Sequence, residues 1–309
     1  MNQPPYDGPI IDAHTHLWNL AADKYPWLRP SGNFGQPGRF DPLKGKNYGL
    51  EEYRRDIADS GVIASVHVEA LWDSADGKIN ETRWLETLDK SDNLASRYVA
   101  GVGFGTPTTE DEIREHAAFP RVKGVRQTIS WTPDPTRRMA PEPNLTRDPA
   151  WRAAIPLLVD LDLDLELLLS PYQAENVAEL ASDYPDLTII VNHTGSPIQQ
   201  DEPGLARWHD AILSMAAHPN VLVKLSATAA YLAEPSVDRM HPFVSHLVDS
   251  FGSERTMFGS DFPVGTLVGW SYADYVDAYR VCLQDRPLAE QEAIFWRTAN
   301  RVYDFGLTS

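Results

Sequence analysis

Two histidines separated by one residue, His14 and His16, close the short apolar run Pro9-Ile-Ile-Asp-Ala-His-Thr-His16. Such a run reads as a buried strand, and residues two apart on a strand share a face, so both imidazoles point the same way. A pair of this kind can ligate a metal or polarise a carbonyl. What it does depends on the groups other segments deliver beside it. Further short apolar runs also end in polar side chains: His67 and Glu69, Arg126, Tyr172 and Gln173, His193, Lys224 and Ser226, and finally Asp261 in Met257-Phe-Gly-Ser-Asp-Phe-Pro263. An ionisable base among several imidazoles is the composition of a hydrolytic site. Structural readings compete at each position. His67 and Glu69 read best as partners of one another, Arg126 and Lys224 also suit core carboxylates, and Asp261 also suits a turn or a helix cap.

The elements that must position these groups recur eight times. The apolar runs occupy residues 9–13, 62–68, 98–104, 122–128, 163–169, 187–192, 221–225 and 256–260, and helical spacing appears between most of them, for example over 82–88, 174–182, 206–217 and 242–251. Strand and helix in alternation predict parallel strands, and eight units in 309 residues suit an α/β fold of the closed (β/α)8, or TIM-barrel, type. Residues 1–309 then form one domain, with the polar strand ends gathered at one mouth. An open doubly wound sheet is disfavoured, because Asp12-Ala-His-Thr-His16 stands where a Gly-rich phosphate turn would follow the first strand. Two Pro-rich insertions, 17–47 and 131–147, follow the first and fourth runs and are expected to cover the mouth.

Composition excludes several classes. A formal charge of −17 without a Lys/Arg cluster speaks against nucleic acid as a partner. It says little about a small anion, since charges beyond about 8 Å are screened and the groups lining a pocket dominate. No apolar run is long enough for a membrane span. The first residues lack the basic start and apolar stretch of a secretory signal, and the single Cys282 cannot form an internal disulfide, so the expected location is cytoplasmic. Association into a homo-oligomer is left open.

Taken in order along the strands, these residues resemble the amidohydrolase superfamily. Within it the chain is most similar to the amidohydrolase-2 branch of sugar-acid lactonases and 2-pyrone-4,6-dicarboxylate lactonase. The resemblance is carried by Ile11-Asp-Ala-His-Thr-His-Leu-Trp18, Tyr25-Pro-Trp-Leu28, Glu81-Thr-Arg-Trp-Leu85, Lys123-Gly-Val-Arg126, Val191-Asn-His-Thr-Gly195, Val223-Lys-Leu-Ser226 and Phe258-Gly-Ser-Asp-Phe-Pro263. It departs from the superfamily's two-metal pattern. The fifth run is followed by Ser170-Pro-Tyr-Gln173 with no histidine, and Arg126 stands where a bridging lysine would be.

The resemblance implies a lactonase acting on a small-molecule lactone. One divalent ion, zinc by ligand type, would be held by His14, His16 and Asp261 with Glu69 or His193 as a fourth ligand; the alternative is no metal, with histidines acting directly on the substrate. Asp261 is the expected base, His14, His16 and His193 the polarising groups, and Arg126, Lys224, Tyr172, Gln173 and Trp18 the expected substrate contacts. Trp18, Trp27 and Trp131 lie in or beside the mouth loops, where flat aromatic faces suit a sugar ring, so an uncharged aldonolactone is favoured over a dicarboxylate lactone. A metal-dependent decarboxylase of the same superfamily and a non-catalytic carbohydrate-binding barrel are the other readings. The missing histidine after the fifth run disfavours the first, and an aspartate beside three imidazoles disfavours the second.

Overall fold

The computed structural model describes residues 5–32 and 38–308. Eight strands run in sequence order around one sheet: β1 (Ile10–Thr15), β2 (Val62–Val68), β3 (Arg97–Gly101), β4 (Val122–Thr128), β5 (Asp164–Leu168), β6 (Ile189–Val191), β7 (Val221–Leu225) and β8 (Thr256–Phe258). Every neighbouring pair is parallel. Helices between them cover the outside, so both faces of each strand are shielded and the strands read as nearly continuous apolar runs. The architecture is the expected (β/α)8 barrel.

The barrel closes where β8 meets β1, and the seam is built differently from the other seven junctions. Its backbone contacts are the amide of His16 donating to the Phe262 carbonyl at 2.8 Å and that of Asp261 donating to the His14 carbonyl at 2.8 Å. Below them the fully buried Asp12 carboxylate accepts from the amides of His14 (3.1 Å) and Ser260 (2.8 Å) with one oxygen. With the other it accepts from the hydroxyls of Tyr53 (3.0 Å) and Tyr272 (2.8 Å). Gly259 permits this approach: a Cβ there would lie 2.7 Å from the His14 Cβ.

The barrel interior is not wholly apolar. Lys224, on β7, is completely buried and places Nζ 2.7 Å from both carboxylate oxygens of Glu166 on β5. Glu166 also accepts from Asn192 Nδ2 (2.8 Å) and the Tyr303 hydroxyl (2.6 Å). This corrects the expectation that Lys224 contacts substrate. A lone cation in the core needs a carboxylate, and Glu166, inside an apolar strand, supplies it. Helix limits differ too. The stretch expected to begin at Pro242 starts at Val237, because the Ser236 hydroxyl caps the amide of Arg239 and the helix runs through the proline to Phe251.

Replacing Lys224 by Met should therefore lower stability by about 3–5 kcal/mol, because Glu166 is left buried without its cation. Urea unfolding checks this. A variant of unchanged stability with a raised KM would return Lys224 to the substrate.

Candidate active site

The C-terminal ends of the strands open into a cavity of about 720 Å³, within the range of small-molecule sites. Its floor carries His16, Glu69, Arg126, His193 and Asp261. Parts of both long insertions form its walls: Trp27, Arg39 and Phe40 from the first, and Thr132, Asp134, Arg137 and Met139 from the second. Residues 33–37 of the first insertion lie outside the described residues.

One oxygen organises the floor. Asp261 Oδ1 lies 3.2 Å from His16 Nε2, 3.8 Å from His14 Nε2 and 3.8 Å from His193 Nε2. The backbone is adapted to this convergence, since Asp261 (φ 60°) and His193 (φ 51°) both adopt the left-handed conformation, uncommon for such residues. His16 Nδ1 donates to the Val68 carbonyl at 2.8 Å, so in the neutral ring Nε2 carries the lone pair and faces the carboxylate. His193 is anchored by Ser226 Oγ, which lies 2.9 Å from its Nδ1 and accepts from its amide at 3.2 Å. Burial, reinforced by His193 and Lys224, holds His14 well below the ordinary imidazole value. Burial likewise pushes His193 down to about 3, although Asp261 works against it. Burial alone would raise the Asp261 carboxyl, but the neighbouring His193 and His16 and the more distant Arg126 together hold it below its usual range.

These groups fit a cation. Both ring nitrogens of the buried His14 have no hydrogen-bond partner, and the ligand atoms of His14, His16 and Asp261 all lie within 4.8 Å of one another. A lone pair of His16 facing a carboxylate oxygen needs positive charge between them. Three protein ligands with space above them match a catalytic zinc site. Among the described residues this is the one such cluster.

Several expected site residues do other work. Glu69 is not placed as a fourth ligand: its Oε1 accepts from Arg126 Nη1 (3.0 Å) and its Oε2 from the amide of Leu71 (2.9 Å). Arg126 does line the cavity, but its Nε is also committed, to Asn192 Oδ1 at 2.9 Å. His67 does not pair with Glu69; its Nδ1 accepts from the amide of Leu17 and its Nε2 lies 3.7 Å from Glu81 Oε1. Trp18 is buried against Trp27 and Tyr48 and donates to the Lys46 carbonyl, so it packs the loop beneath the wall that Trp27 presents. Gln173 is spent on joining the loops, accepting from the amides of Trp131 and Ser170 and donating to the Trp131 carbonyl. Tyr172 stands behind the wall, where its hydroxyl donates to Gln199 and Arg207 covers its ring. Tyr231, which lines the cavity and donates to Ser196 Oγ at 3.0 Å, was not anticipated because its loop carries no recognisable motif.

A model of the family described as "Amidohydrolase" matches residues 11–305. The chain is 30% identical to the uncharacterised protein y4mH of Sinorhizobium fredii, over 95% of this chain and 98% of that one. It is 28% identical to the L-fucono-1,5-lactonase of Burkholderia ambifaria, over 86% and 83% respectively. In three dimensions it superposes on an amidohydrolase of Burkholderia multivorans solved with bound zinc, with a TM-score of 0.79, 22% identity, and coverage of 96% of this chain and 99% of that one.

Protein loaded with zinc and freed of excess ion should retain about one equivalent per chain, and the double variant His14→Ala/His16→Ala should retain almost none. Elemental analysis decides. Two equivalents in the parent protein would reveal a ligand set beyond these three residues.

Proposed function

The chain belongs to the amidohydrolase family, and from that membership we propose that it is a lactonase that opens the ring of an uncharged sugar-acid lactone. The observation that carries this reading is the convergence of three imidazole nitrogens on Asp261 Oδ1 at the floor of a cavity large enough for such a ring. The names of the lactonase relatives support the reaction class. His14, His16 and Asp261 would hold one divalent ion, and zinc is supported by their ligand type and by the zinc-bound structural neighbour. When bound, such an ion supplies a Lewis acid that polarises the lactone carbonyl.

The remaining chemistry belongs to the side chains. Asp261, held below the usual carboxylate range, is ionised at neutral pH and takes the proton of the attacking water. Water adds to the carbonyl carbon, the bond from that carbon to the ring oxygen breaks, and the proton passes from Asp261 to the departing alkoxide. The products are one hydroxyl and one carboxylic acid, which releases its proton to the solvent at neutral pH. His193, fixed by Ser226, faces the same oxygen and is placed to hydrogen-bond the reacting group. The walls exclude bulk water with Trp27, Phe40, Leu71, Met139 and Leu232.

The charge balance of the cavity favours a neutral lactone over a dicarboxylate. Arg126 already faces Glu69 at 3.0 Å, and Arg137 lies 3.6 Å from Asp134. Arg39, the third guanidinium of the lining, lies over the Phe40 ring, and one such group is too few to hold a pair of substrate carboxylates. Decarboxylation is the less favoured reading, since β5 ends in Leu168 and is followed by Ser170-Pro171-Tyr172-Gln173, with no histidine to receive a carboxylated ring.

Purified protein assayed with a pH indicator should hydrolyse at least one 1,4- or 1,5-aldonolactone, and more slowly or not at all a dicarboxylate lactone. A panel of lactones giving no rate above background, together with CO2 release from a carboxylated aromatic, would replace the proposal by decarboxylation. Asp261→Asn should lower kcat by about 10² or more, because the amide keeps the shape of the group and cannot take the proton. Near-normal turnover in that variant would remove Asp261 from the role of base.

A further inference from the structure

Two segments that stand out in the sequence, Tyr25-Pro-Trp-Leu28 and Glu81-Thr-Arg-Trp-Leu85, supply no group to the cavity floor, yet they meet at a single residue, Ala70. Glu81 lies on the helix Ile79–Glu86 and is buried, and its Oε1 accepts from the amide of Ala70 at 3.0 Å. Trp27, on the short helix Pro26–Leu28 of the mouth loop, donates from Nε1 to the carbonyl of the same Ala70 at 2.8 Å. The residue is thus gripped on both sides, its N–H by one segment and its C=O by the other.

The gripped segment is the exit of β2, and three contacts that shape the site radiate from it. The Val68 carbonyl accepts from His16 Nδ1 and sets which nitrogen of that ring faces Asp261. The side chain of Glu69 meets Arg126. Leu71 turns the chain with φ 62° and donates its amide back to Glu69 Oε2. The left-handed conformation at Leu71 is unfavourable for a branched residue and persists where its surroundings hold it. On the ladder side this segment is held by the amide of Glu69 on the Val99 carbonyl at 2.9 Å. Gly101 lets the turn sit close, since a Cβ there would lie 3.1 Å from Glu69 Oε2.

A carboxyl is a costly way to fill this space. Burial pushes Glu81 up to about 7, although the Ala70 amide and the hydroxyl of Tyr25, a ring packed edge-on against Trp72, work against it. An apolar side chain would fill the same volume without that penalty but would leave the Ala70 amide without its acceptor.

We infer that Glu81 is a positioning residue for the hydrolytic site: with Trp27 it clamps Ala70 by the two peptide units on either side of its Cα and thereby fixes the turn that aims Glu69 at Arg126 and the Val68 carbonyl at His16. The inference rests on the lactonase reading for its kinetic consequence but not for its structural one. The clamp also ties the mouth loop to the floor, so the wall presented by Trp27 and the orientation of Glu69 are set together.

The test combines hydrogen-exchange mass spectrometry of the peptide spanning 68–71 with kinetics on the best aldonolactone. Glu81→Leu should speed exchange at the Ala70 amide and lower kcat about tenfold or more, since small displacements of positioned groups are costly in rate. Glu81→Gln, which keeps an acceptor oxygen, should retain protection and stay within about threefold of the parent. Trp27→Phe removes the indole donor together with part of the ring packed against Trp18 and Phe40, and its exchange at 68–71 should share the direction of Glu81→Leu. The Glu81→Leu/Trp27→Phe double variant should lose less than the product of the two single losses, as expected of groups acting on one residue. If Glu81→Leu fails to fold, Trp27→Phe and Glu81→Gln carry the comparison. Unchanged exchange at 68–71 in folded Glu81→Leu, or in Trp27→Phe where that variant does not fold, overturns the clamp. Faster exchange with unchanged kcat overturns the positioning role. Absence of lactone hydrolysis in the parent protein rejects the lactonase reading alone, because the exchange comparison is still read.

Discussion

The rest of this structure depends on how the barrel is closed. Seven strand junctions are parallel ladders, two of them with register shifts, but the eighth is held by a carboxylate, that of Asp12, which gathers two backbone amides and two tyrosine hydroxyls into one buried site. A buried carboxylate is tolerable only when its oxygens are fully engaged, and four donors meet that condition. The consequence reaches the chemistry directly. The backbone bonds of the same seam join His14 to Asp261 and His16 to Phe262, so the groups proposed as ligands and base are brought together by barrel closure itself.

A second polar chain extends from the cavity into the barrel core. Glu69, Arg126, Asn192, Glu166 and Lys224 follow one another through hydrogen bonds of 2.7–3.0 Å, and Tyr303 enters at Glu166. Cation and carboxylate alternate along it, with the Asn192 amide bridging between Arg126 and Glu166. Buried charge is rarely a net source of stability, but a network in which each member holds the next specifies rotamers closely. Here that specificity fixes the guanidinium of Arg126 at the floor and neutralises it. The cavity above is accordingly polar without a strong excess of cationic charge, which is the physical basis for favouring a neutral, hydroxyl-rich ligand.

The architecture was legible because it rests on local pattern. Strands β2, β4 and β7 fall at the expected limits; in β2 and β7 β-branched apolar residues bounded by turns leave few alternatives. The helix Val237–Phe251 was mislocated at its start because Pro242 is a stronger sequence signal than the cap Ser236 that begins it. Within the site, His14, His16, His193 and Asp261 were legible from their order at the strand ends, and they do converge. Glu166 was not, because an acidic residue two places after Asp164 on the same strand looks like part of a solvated face until its partner on another strand is known. Trp18 and Gln173 were assigned to substrate on the strength of where they lie in the chain. Direction relative to the chain axis decides that, and Trp18 turns into the loop core while Gln173 turns into the junction of two loops.

By itself, the sequence determined the alternation of strand and helix, the parallel barrel that follows from it, and the identity of the groups able to do chemistry at its mouth. Those properties depend on periodicity and residue type, both local. Which polar groups are free to act was decided by tertiary structure alone. Lys224, Glu69 and Arg126 have the same chemistry whether paired or not, and only the positions of β2, β4 and β5 around the barrel show that each already has a partner. His14 is the converse case, a buried imidazole left without one. Pairing is a matter of distances of about 3 Å between residues scores apart in the chain, and no local pattern encodes them.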